Sequence, residues 1–139
     1  MIIYKKNTLD FNTYKILRQS VNWSCPPETQ AIRAINNTLV SVVAYNDDIP
    51  VGMGRLLGDG ALYYQIYDVV VRKEYQGQKI GTNIINELIN YIEKNRTQGE
   101  RVSIALAAEP GKEEFYEKLG FRRLPHQYCG AGLRKVIKD

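Results

Sequence analysis

The sequence predicts one domain of mixed α/β class, with a mostly antiparallel sheet and a single parallel crossover. Its 139 residues, 44% of them apolar and 24% charged, are enough for one hydrophobic core and too apolar for a disordered chain. Three β-rich segments separated by short turn signals occupy residues 39–71 and indicate an antiparallel meander. An amphipathic segment and another apolar run come next, and this strand–helix–strand order indicates a right-handed crossover between parallel neighbours.

The first elements follow from capping residues and apolar spacing. Residues 2–6 are predicted as a strand, and Asp10 can cap a helix over residues 11–19. Pro26 and Pro27 open a second helix, because proline is favoured where a helix begins. The meander strands are predicted over residues 39–45, 51–57 and 61–71.

The second half begins with a strong helical pattern. Apolar residues recur at helical spacing, at Ile80, Ile84, Ile85, Leu88, Ile89 and Ile92. We expect a buried strand over residues 102–107, a short helix over residues 112–119, and closing strands over residues 121–124 and 133–137. No repeat or linker divides the sequence, so residues 1–139 are interpreted as a single domain.

Composition narrows the classes of function. The net charge of +4 suits an anionic ligand, but the scattered Lys and Arg residues do not form the dense basic face of a nucleic-acid binder. No apolar run reaches the roughly 18 residues of a membrane span, and no apolar region of a signal peptide is present. Two cysteines, Cys25 and Cys129, lack the density of a disulfide scaffold and the spacing of a metal site. We therefore expect a cytoplasmic protein without a metal, nucleic-acid partner or membrane partner.

A glycine-containing turn between a strand and a helix is the feature most informative about function. It reads Gln76-Gly77-Gln78-Lys79-Ile80-Gly81-Thr82 and follows the apolar run Val69-Val70-Val71. Such a turn points several backbone N–H groups outward at the positive end of the helix dipole, which predicts an anion site, most often for phosphate. Other phosphate motifs fit less well, since no P-loop is present and Gly52-Met53-Gly54 lies in a strand pattern that opens no helix.

Two blocks of the sequence resemble the GNAT N-acetyltransferase superfamily. Residues 67–82 resemble its acetyl-CoA motif, Q/R-x-x-G-x-G/A after a strand, and residues 115–121 (Phe-Tyr-Glu-Lys-Leu-Gly-Phe) resemble its later F-Y-x-x-x-G-F signature. The order of elements also matches over nearly the whole chain. The resemblance implies a GNAT-like fold in which the fourth and fifth strands splay apart. Lys79 replaces the first glycine of the motif, and lysine fits there if its φ is negative and its side chain points outward.

The resemblance implies acetyl-CoA as co-substrate and assigns residues to its parts. Backbone groups of Val69 and Val71 would pair with the pantetheine arm. The N–H of Val69 or Val70, near a bulge, would polarise the thioester carbonyl. The main-chain amides that would hold the pyrophosphate belong to Gln76, Gly77, Gln78, Lys79, Ile80, Gly81 and Thr82.

The transfer also needs proton handling, because an alkylammonium with a pKa near ~10 must lose its proton before the amine can attack. Tyr116 stands at the tyrosine of the second signature and is the expected general acid; the alternative is that it packs beside Phe115 and Phe121. Some relatives carry histidines at the positions of Gln65 and Tyr67, neither of which is a strong base.

The base is therefore sought elsewhere on the same strand. Asp68 is its only carboxylate, but strand alternation puts it on the face opposite Tyr67 unless a bulge re-aims it. A water chain through Tyr67 or Asp68 is the hypothesis for the base.

The acceptor is expected near the region between the first two helices, which lines the acceptor pocket in the family. Trp23 and Gln65 are the candidate substrate contacts. The leading interpretation is acetyl transfer to a primary amine of a small molecule, directly and within a ternary complex. The alternatives are acetylation of a protein or peptide amine and a non-catalytic acyl-CoA-binding module. Family members often dimerise through their C-terminal strands, so a homodimer stays open.

Overall fold

The computed structural model describes all residues, Met1–Asp139, and divides them into two compact units, Met1–Leu106 and Ala107–Asp139. Each unit is described by itself, and the single-domain assignment for residues 1–139 stays a prediction. The first unit contains, in order, β1 (Ile2–Lys6), α1 (Phe11–Ser20), α2 (Glu28–Asn36), β2 (Val40–Asn46), β3 (Ile49–Gly58), β4 (Tyr63–Val71), a 3-10 turn (Lys73–Tyr75), α3 (Ile80–Asn95) and β5 (Ser103–Ala105). The second unit contains α4 (Glu113–Glu117).

The five strands form one sheet in the order β1-β2-β3-β4-β5. Neighbouring strands are antiparallel except β4 and β5, which are parallel and joined by α3, so the predicted mixed sheet and crossover are confirmed. β5 pairs only with residues 63–65 of β4. The remaining residues of β4, from 66 to 71, have no strand of this sheet on that side, so this edge of β4 is open; the splay of the two strands stays a prediction.

The core of the first unit lies on both faces of the sheet. α1 and α2 cover one face, and residues buried there include Tyr14, Leu17, Ala31, Val43, Met53 and Val70. α3 covers the other face with the predicted apolar stripe, of which Ile80, Ile84, Ile85, Leu88 and Ile92 are buried. The Asp10 side chain caps α1 by accepting from the Thr13 N–H at 2.8 Å, as expected from the sequence. No helix is both long enough and apolar enough to cross a membrane.

Two glycines of β3 let α3 approach the sheet closely. A Cβ at Gly54 would lie 2.7 Å from Cγ2 of Ile84, and one at Gly52 would lie 3.1 Å from Cδ1 of the same residue. Gly52 and Gly54 therefore serve helix packing, and their position inside β3 confirms that they do not open a helix.

The second unit differs most from the prediction. α4 is shorter than the predicted 112–119 helix, and the closing strands predicted over 121–124 and 133–137 do not form. The only bridge among these residues joins His126 and Cys129. A β-rich pattern forms a strand only when a second strand supplies hydrogen bonds, and Leu133 and Ile137 remain 97% and 88% exposed.

Candidate active site

A bulge interrupts β4 where the acyl group was expected. Val70 pairs with Met53 and Tyr67 pairs with Arg55, so β4 has one more residue than β3 between these pairs. Asp68 lies in that interval with φ 56, a left-handed conformation that few residues other than glycine adopt. The extra residue reverses the alternation of side chains, and this is how the strand can redirect Asp68.

The redirected Asp68 joins a cluster on the α1 face of the sheet. Its Oδ1 accepts from Nη1 of Arg18 at 2.6 Å, and its Oδ2 accepts from Nη1 of Arg55 at 2.8 Å. The hydroxyl of Tyr14 also donates to Oδ2, at 2.9 Å. Arg55 pairs across the ladder with Tyr67, so Asp68 and Tyr67 lie on the same face. Simple alternation, which separates them, is wrong at this point because of the bulge.

These four residues, Tyr14, Arg18, Arg55 and Asp68, are called the Asp68 cluster below. The side chain of Asp68 is 10% exposed, that of Arg55 is 7% exposed and that of Arg18 is 18% exposed. Burial, reinforced by the neighbouring Asp68 carboxylate, raises the pKa of Tyr14 to about 12. Three donors already engage the carboxylate, which leaves at most one of its about four lone-pair directions for a substrate proton. The contacts therefore favour a structural role for Asp68 over the predicted role as base, which stays untested.

The other two nitrogen atoms of the Arg55 guanidinium are also hydrogen-bonded. Its Nε donates to Thr38 at 3.0 Å, and its Nη2 donates to the Ala34 carbonyl at 2.9 Å. Arg18 donates through Nε to the Ser24 carbonyl at 2.7 Å. The Asp68 cluster thus ties the bulge to α1, to β3 and to the end of α2.

The open edge of β4 presents backbone groups beside this bulge. The Arg72 N–H donates to the Val51 carbonyl at 2.9 Å. This bond shows which residues of β4 direct their backbone groups toward β3. By alternation, Val70 points its N–H toward β3, while Val71 and Val69 turn their backbone groups to the open edge. The Gln76 side-chain amide donates to the Val71 carbonyl at 3.0 Å, which agrees with this alternation. Of the two candidates for the thioester contact, Val69 therefore has the accessible N–H.

A row of free amides continues from the open edge into α3. None of the hydrogen bonds of the structure uses the N–H groups of residues 77–82, and no side chain caps α3. The first bond of the helix runs from the Asn83 N–H to the Lys79 carbonyl at 3.0 Å. The Gln76 N–H is not free, since it donates to the Lys73 carbonyl at 3.2 Å. Free amides at a helix N-terminus favour an anion, so residues 77–82 fit a diphosphate.

The conformation of Lys79 differs from the expectation. Its φ is 64 and its ψ is 17, which is left-handed, so the requirement of a negative φ is wrong. The side chain is exposed, as expected. The chain adopts a left-handed backbone here despite the Cβ of lysine, at a conformational cost of roughly 1–2 kcal/mol.

The candidate acceptor residues lie on the α1 and α2 side of the first unit. Tyr67 is 46% exposed and Gln65 is exposed. Trp23 is partly buried against the α1 core, and its ring lies 5.4 Å from the guanidinium carbon of Arg18, so it adjoins the Asp68 cluster. A groove of about 600 Å³ is lined by Phe11, Asn12, Lys15, Gln19, Cys25, Pro26 and Glu28.

Tyr116 lies on α4 in the second unit. Its ring forms edge-to-face contacts with Phe115 and Phe121, with centroid distances of 5.0 Å and 5.9 Å. Burial, and to a lesser degree the negative charge of Glu109, raises the pKa of Tyr116. A phenol carries its proton at neutral pH, which suits an acid, while the aromatic packing is the alternative role predicted from the sequence. The acid role stays a prediction.

Sequence reasoning missed Tyr14, Arg18 and Arg55. A signal for Arg55 was present, because a charged residue follows Gly54 inside an apolar strand pattern and is buried in the structure. A buried arginine in a strand needs a carboxylate partner, and Asp68 is the only carboxylate of the adjacent strand.

Comparison with known proteins agrees with this geometry. The family described as Acetyltransferase (GNAT) domain matches residues 23–137. An uncharacterized N-acetyltransferase from Porphyra purpurea is 33% identical over 129 residues, which cover 88% of this chain and 72% of the relative. A protein named serotonin N-acetyltransferase 2, chloroplastic, from Oryza sativa subsp. japonica is 38% identical over 82 residues, covering 58% of this chain and 38% of the relative.

A solved structure extends the likeness to the fold. A probable acetyltransferase of unknown function from meticillin-resistant Staphylococcus aureus has a TM-score of 0.83 and 29% identity, covering 97% of this chain and 100% of the other. The family match spans most of the chain and includes both signature blocks. The protein therefore belongs to the GNAT superfamily and is an acyltransferase of the N-acetyltransferase type.

Proposed function

We propose that this enzyme transfers an acetyl group from acetyl-CoA to a primary amine of a small molecule, directly and within a ternary complex. The observation that carries the proposal is the row of free N–H groups over residues 77–82, which continues from the open edge of β4. The diphosphate is an anionic part of coenzyme A, and such amides bind phosphate without needing a particular side chain. Acetyl-CoA supplies an acyl group activated as a thioester.

The open edge of β4 supports binding of the pantetheine arm. Val69 and Val71 turn backbone donors and acceptors toward that edge, where an extended ligand can pair with them as an added strand does. The Gln76 side chain competes for the Val71 carbonyl. Holding the acyl group beside the acceptor would account for a large part of the rate.

Proton transfer is assigned to tyrosines and water. Tyr116 would protonate the departing thiolate, since a phenol carries its proton at neutral pH. The amine would lose its proton to water beside Tyr67, which is the more exposed of the two residues considered for this role. Asp68 is the alternative, although its oxygens are already engaged.

A place for the acceptor is supported by the exposed side chains of Gln65 and Tyr67, which lie on the same face of β4 as the Asp68 cluster. Trp23 and Gln65 would contact that acceptor. The rice relative is named for serotonin, a primary amine, which favours the same class. A protein or peptide amine is the second candidate. A cytoplasmic location, a homodimer and the absence of metal, nucleic-acid and membrane partners belong to the same proposal.

Calorimetry with acetyl-CoA, followed by thiol release against a panel of amines, tests the proposal. We expect measurable binding and turnover with at least one primary amine. Tyr116→Phe should lower kcat by about 100-fold while the Kd of acetyl-CoA stays unchanged, because the phenol acts in the transfer step. The matched control is Tyr128→Phe, which removes an exposed hydroxyl from the same unit.

Two results would contradict the proposal in different ways. Absence of both binding heat and a thermal shift would exclude use of acetyl-CoA. Tight binding without turnover on any amine would identify a non-catalytic acyl-CoA-binding module. The engaged oxygens of Asp68 are the observation that favours this module.

A further inference from the structure

The Asp68 cluster adjoins Val69, a bulge residue whose N–H turns to the open edge of β4 by alternation from Val70. Val69 directly follows Asp68, and its N–H direction depends on the backbone conformation at residue 68. That conformation is left-handed, with φ 56. Rotation to an ordinary extended φ would undo the bulge and restore simple alternation, which would point a different residue's N–H to the edge.

We propose that Asp68 is a positioning residue: the Asp68 cluster fixes the left-handed backbone at residue 68 and so aims the Val69 N–H at the carbonyl oxygen of the bound acyl group. This inference rests on the proposed use of acetyl-CoA. Asp68 itself contacts neither the acyl group nor the amine in this role, and it acts only through its neighbour.

The contacts hold residue 68 from two independent elements. Arg18 comes from α1 and Arg55 from β3, and they bind opposite oxygens of the same carboxylate at 2.6 Å and 2.8 Å. A third donor, Tyr14, prevents the second oxygen from rotating away. A strained backbone conformation persists when its surroundings over-determine it, and these donors supply that constraint.

Stability alone does not account for this arrangement. Two guanidinium groups share one carboxylate in a nearly buried site, and apolar residues often replace such groups without loss of stability. Donors aimed at a developing negative charge, in contrast, must be fixed before the reaction to be effective. The Asp68 cluster lies at the bulge of β4, next to the N–H group that is proposed to contact the acyl carbonyl oxygen.

The test compares the affinities of two coenzyme A derivatives by calorimetry. Acetyl-CoA has the carbonyl oxygen, whereas S-ethyl coenzyme A is a thioether of nearly equal size that lacks it. Because one net hydrogen bond is at stake, the wild-type enzyme should prefer acetyl-CoA by about 5-fold. In Asp68→Ala this preference should fall to about 1, while the affinity for coenzyme A itself changes by less than about 2-fold.

Kinetics give a second readout that a merely structural role would not move. Asp68→Ala should lower kcat by roughly 100-fold, the size expected when an oxyanion donor is lost, and should raise the KM of acetyl-CoA by no more than about 5-fold. Asp68→Gly should retain more of the activity than Asp68→Ala, since glycine reaches a left-handed φ without a Cβ penalty.

A second variant and a control keep the test decisive. Asp68→Ala leaves two guanidinium groups without a carboxylate, which can destabilise the fold. Arg18→Gln is therefore included, because it keeps the Arg55–Asp68 pair. It should reduce the preference for acetyl-CoA over S-ethyl coenzyme A by about half. Ile92→Val lowers stability in the core of α3, away from β4, and should keep the wild-type preference.

The possible failures are distinguishable. No binding of either derivative by the wild-type enzyme would overturn the proposed function and this inference together. Wild-type binding without a preference for the carbonyl, or a preference that survives in both the Asp68 and Arg18 variants, would overturn the positioning role alone.

Discussion

Lys79 shows how a single residue can hold a backbone conformation that suits glycine. Its φ of 64 places the Cβ in the crowded left-handed region, immediately before the free amides of α3. The favourable placement of those amides is therefore maintained against a local cost of roughly 1–2 kcal/mol.

Replacement of Lys79 by glycine should stabilise the protein. The change removes the Cβ conflict but adds freedom to the unfolded chain, so we expect a net gain of about 0.5–1 kcal/mol in the free energy of unfolding. Urea denaturation measures it. Gln78→Gly is the matched control, because Gln78 has no positive φ and glycine there should only lower stability. Equal effects of the two substitutions would show that Lys79 is not strained.

Tyr14 gives a prediction about alkaline pH. Its pKa rises from 10.0 to about 12 on folding, so the folded protein holds the phenol proton more tightly than the unfolded chain. The resulting stabilisation, roughly 2–3 kcal/mol, is complete below pH 10 and is lost as the pH rises toward 12.

Tyr14→Phe should be less stable than the wild-type protein at about pH 8 by about 1.5–3 kcal/mol, because a hydrogen bond to a charged group is lost. The difference should shrink as the pH is raised above about 10, and denaturant unfolding across this range measures it. Tyr63→Phe, which removes an exposed phenol, is the control. A difference that stays constant with pH would contradict the assigned cause.

At the scale of elements, the packing of α3 on β3 depends on the absence of side chains. A Cβ at Gly54 would meet Cγ2 of Ile84 at 2.7 Å and Cδ1 of Leu88 at 3.2 Å. Both partners are fully buried, so neither can move aside without displacing other core residues. The N-terminus of α3, which bears the free amides, is positioned by this contact.

Gly54→Ala should therefore destabilise the protein by about 1–3 kcal/mol, the usual effect of overpacking. The control, Gly132→Ala, has no atom within 4 Å of the added Cβ and should be nearly neutral. Combining Gly54→Ala with Ile84→Ala should cost less than the sum of the single effects, since Ile84→Ala removes the clashing Cγ2. Strict additivity in thermal unfolding would show that the conflict is relieved elsewhere.

At the scale of the whole molecule, local signals predicted most of the first unit. Capping by Asp10, the double proline before α2 and the periodicity after Ile80 each specify an element within a few residues of sequence. The closing strands predicted in the second unit do not form, because strand formation depends on residues that are distant in the sequence. A strand requires a distant partner, and the apolar residues Leu133 and Ile137 have no such partner within their unit.

The same distinction, between features set by neighbouring residues and features set by distant ones, applies to the candidate site. The amide row was predictable, because turn chemistry and a helix start are adjacent in sequence. The Asp68 cluster was not, since Asp68 meets Arg55 and Arg18 from 13 and 50 residues away and only after a one-residue shift in register. Side-chain alternation applied to the unshifted strand gives the wrong face.

The main-chain character of the amide row over residues 77–82 has an evolutionary consequence. In the proposed binding mode the ligand is held by peptide groups, so its affinity would depend little on the surrounding side chains and would tolerate substitutions such as lysine at position 79. Such a segment drifts until its consensus is hard to recognise by eye. The backbone conformation is then retained while the sequence motif changes. A search by motif will miss such relatives, whereas a comparison of folds will find them.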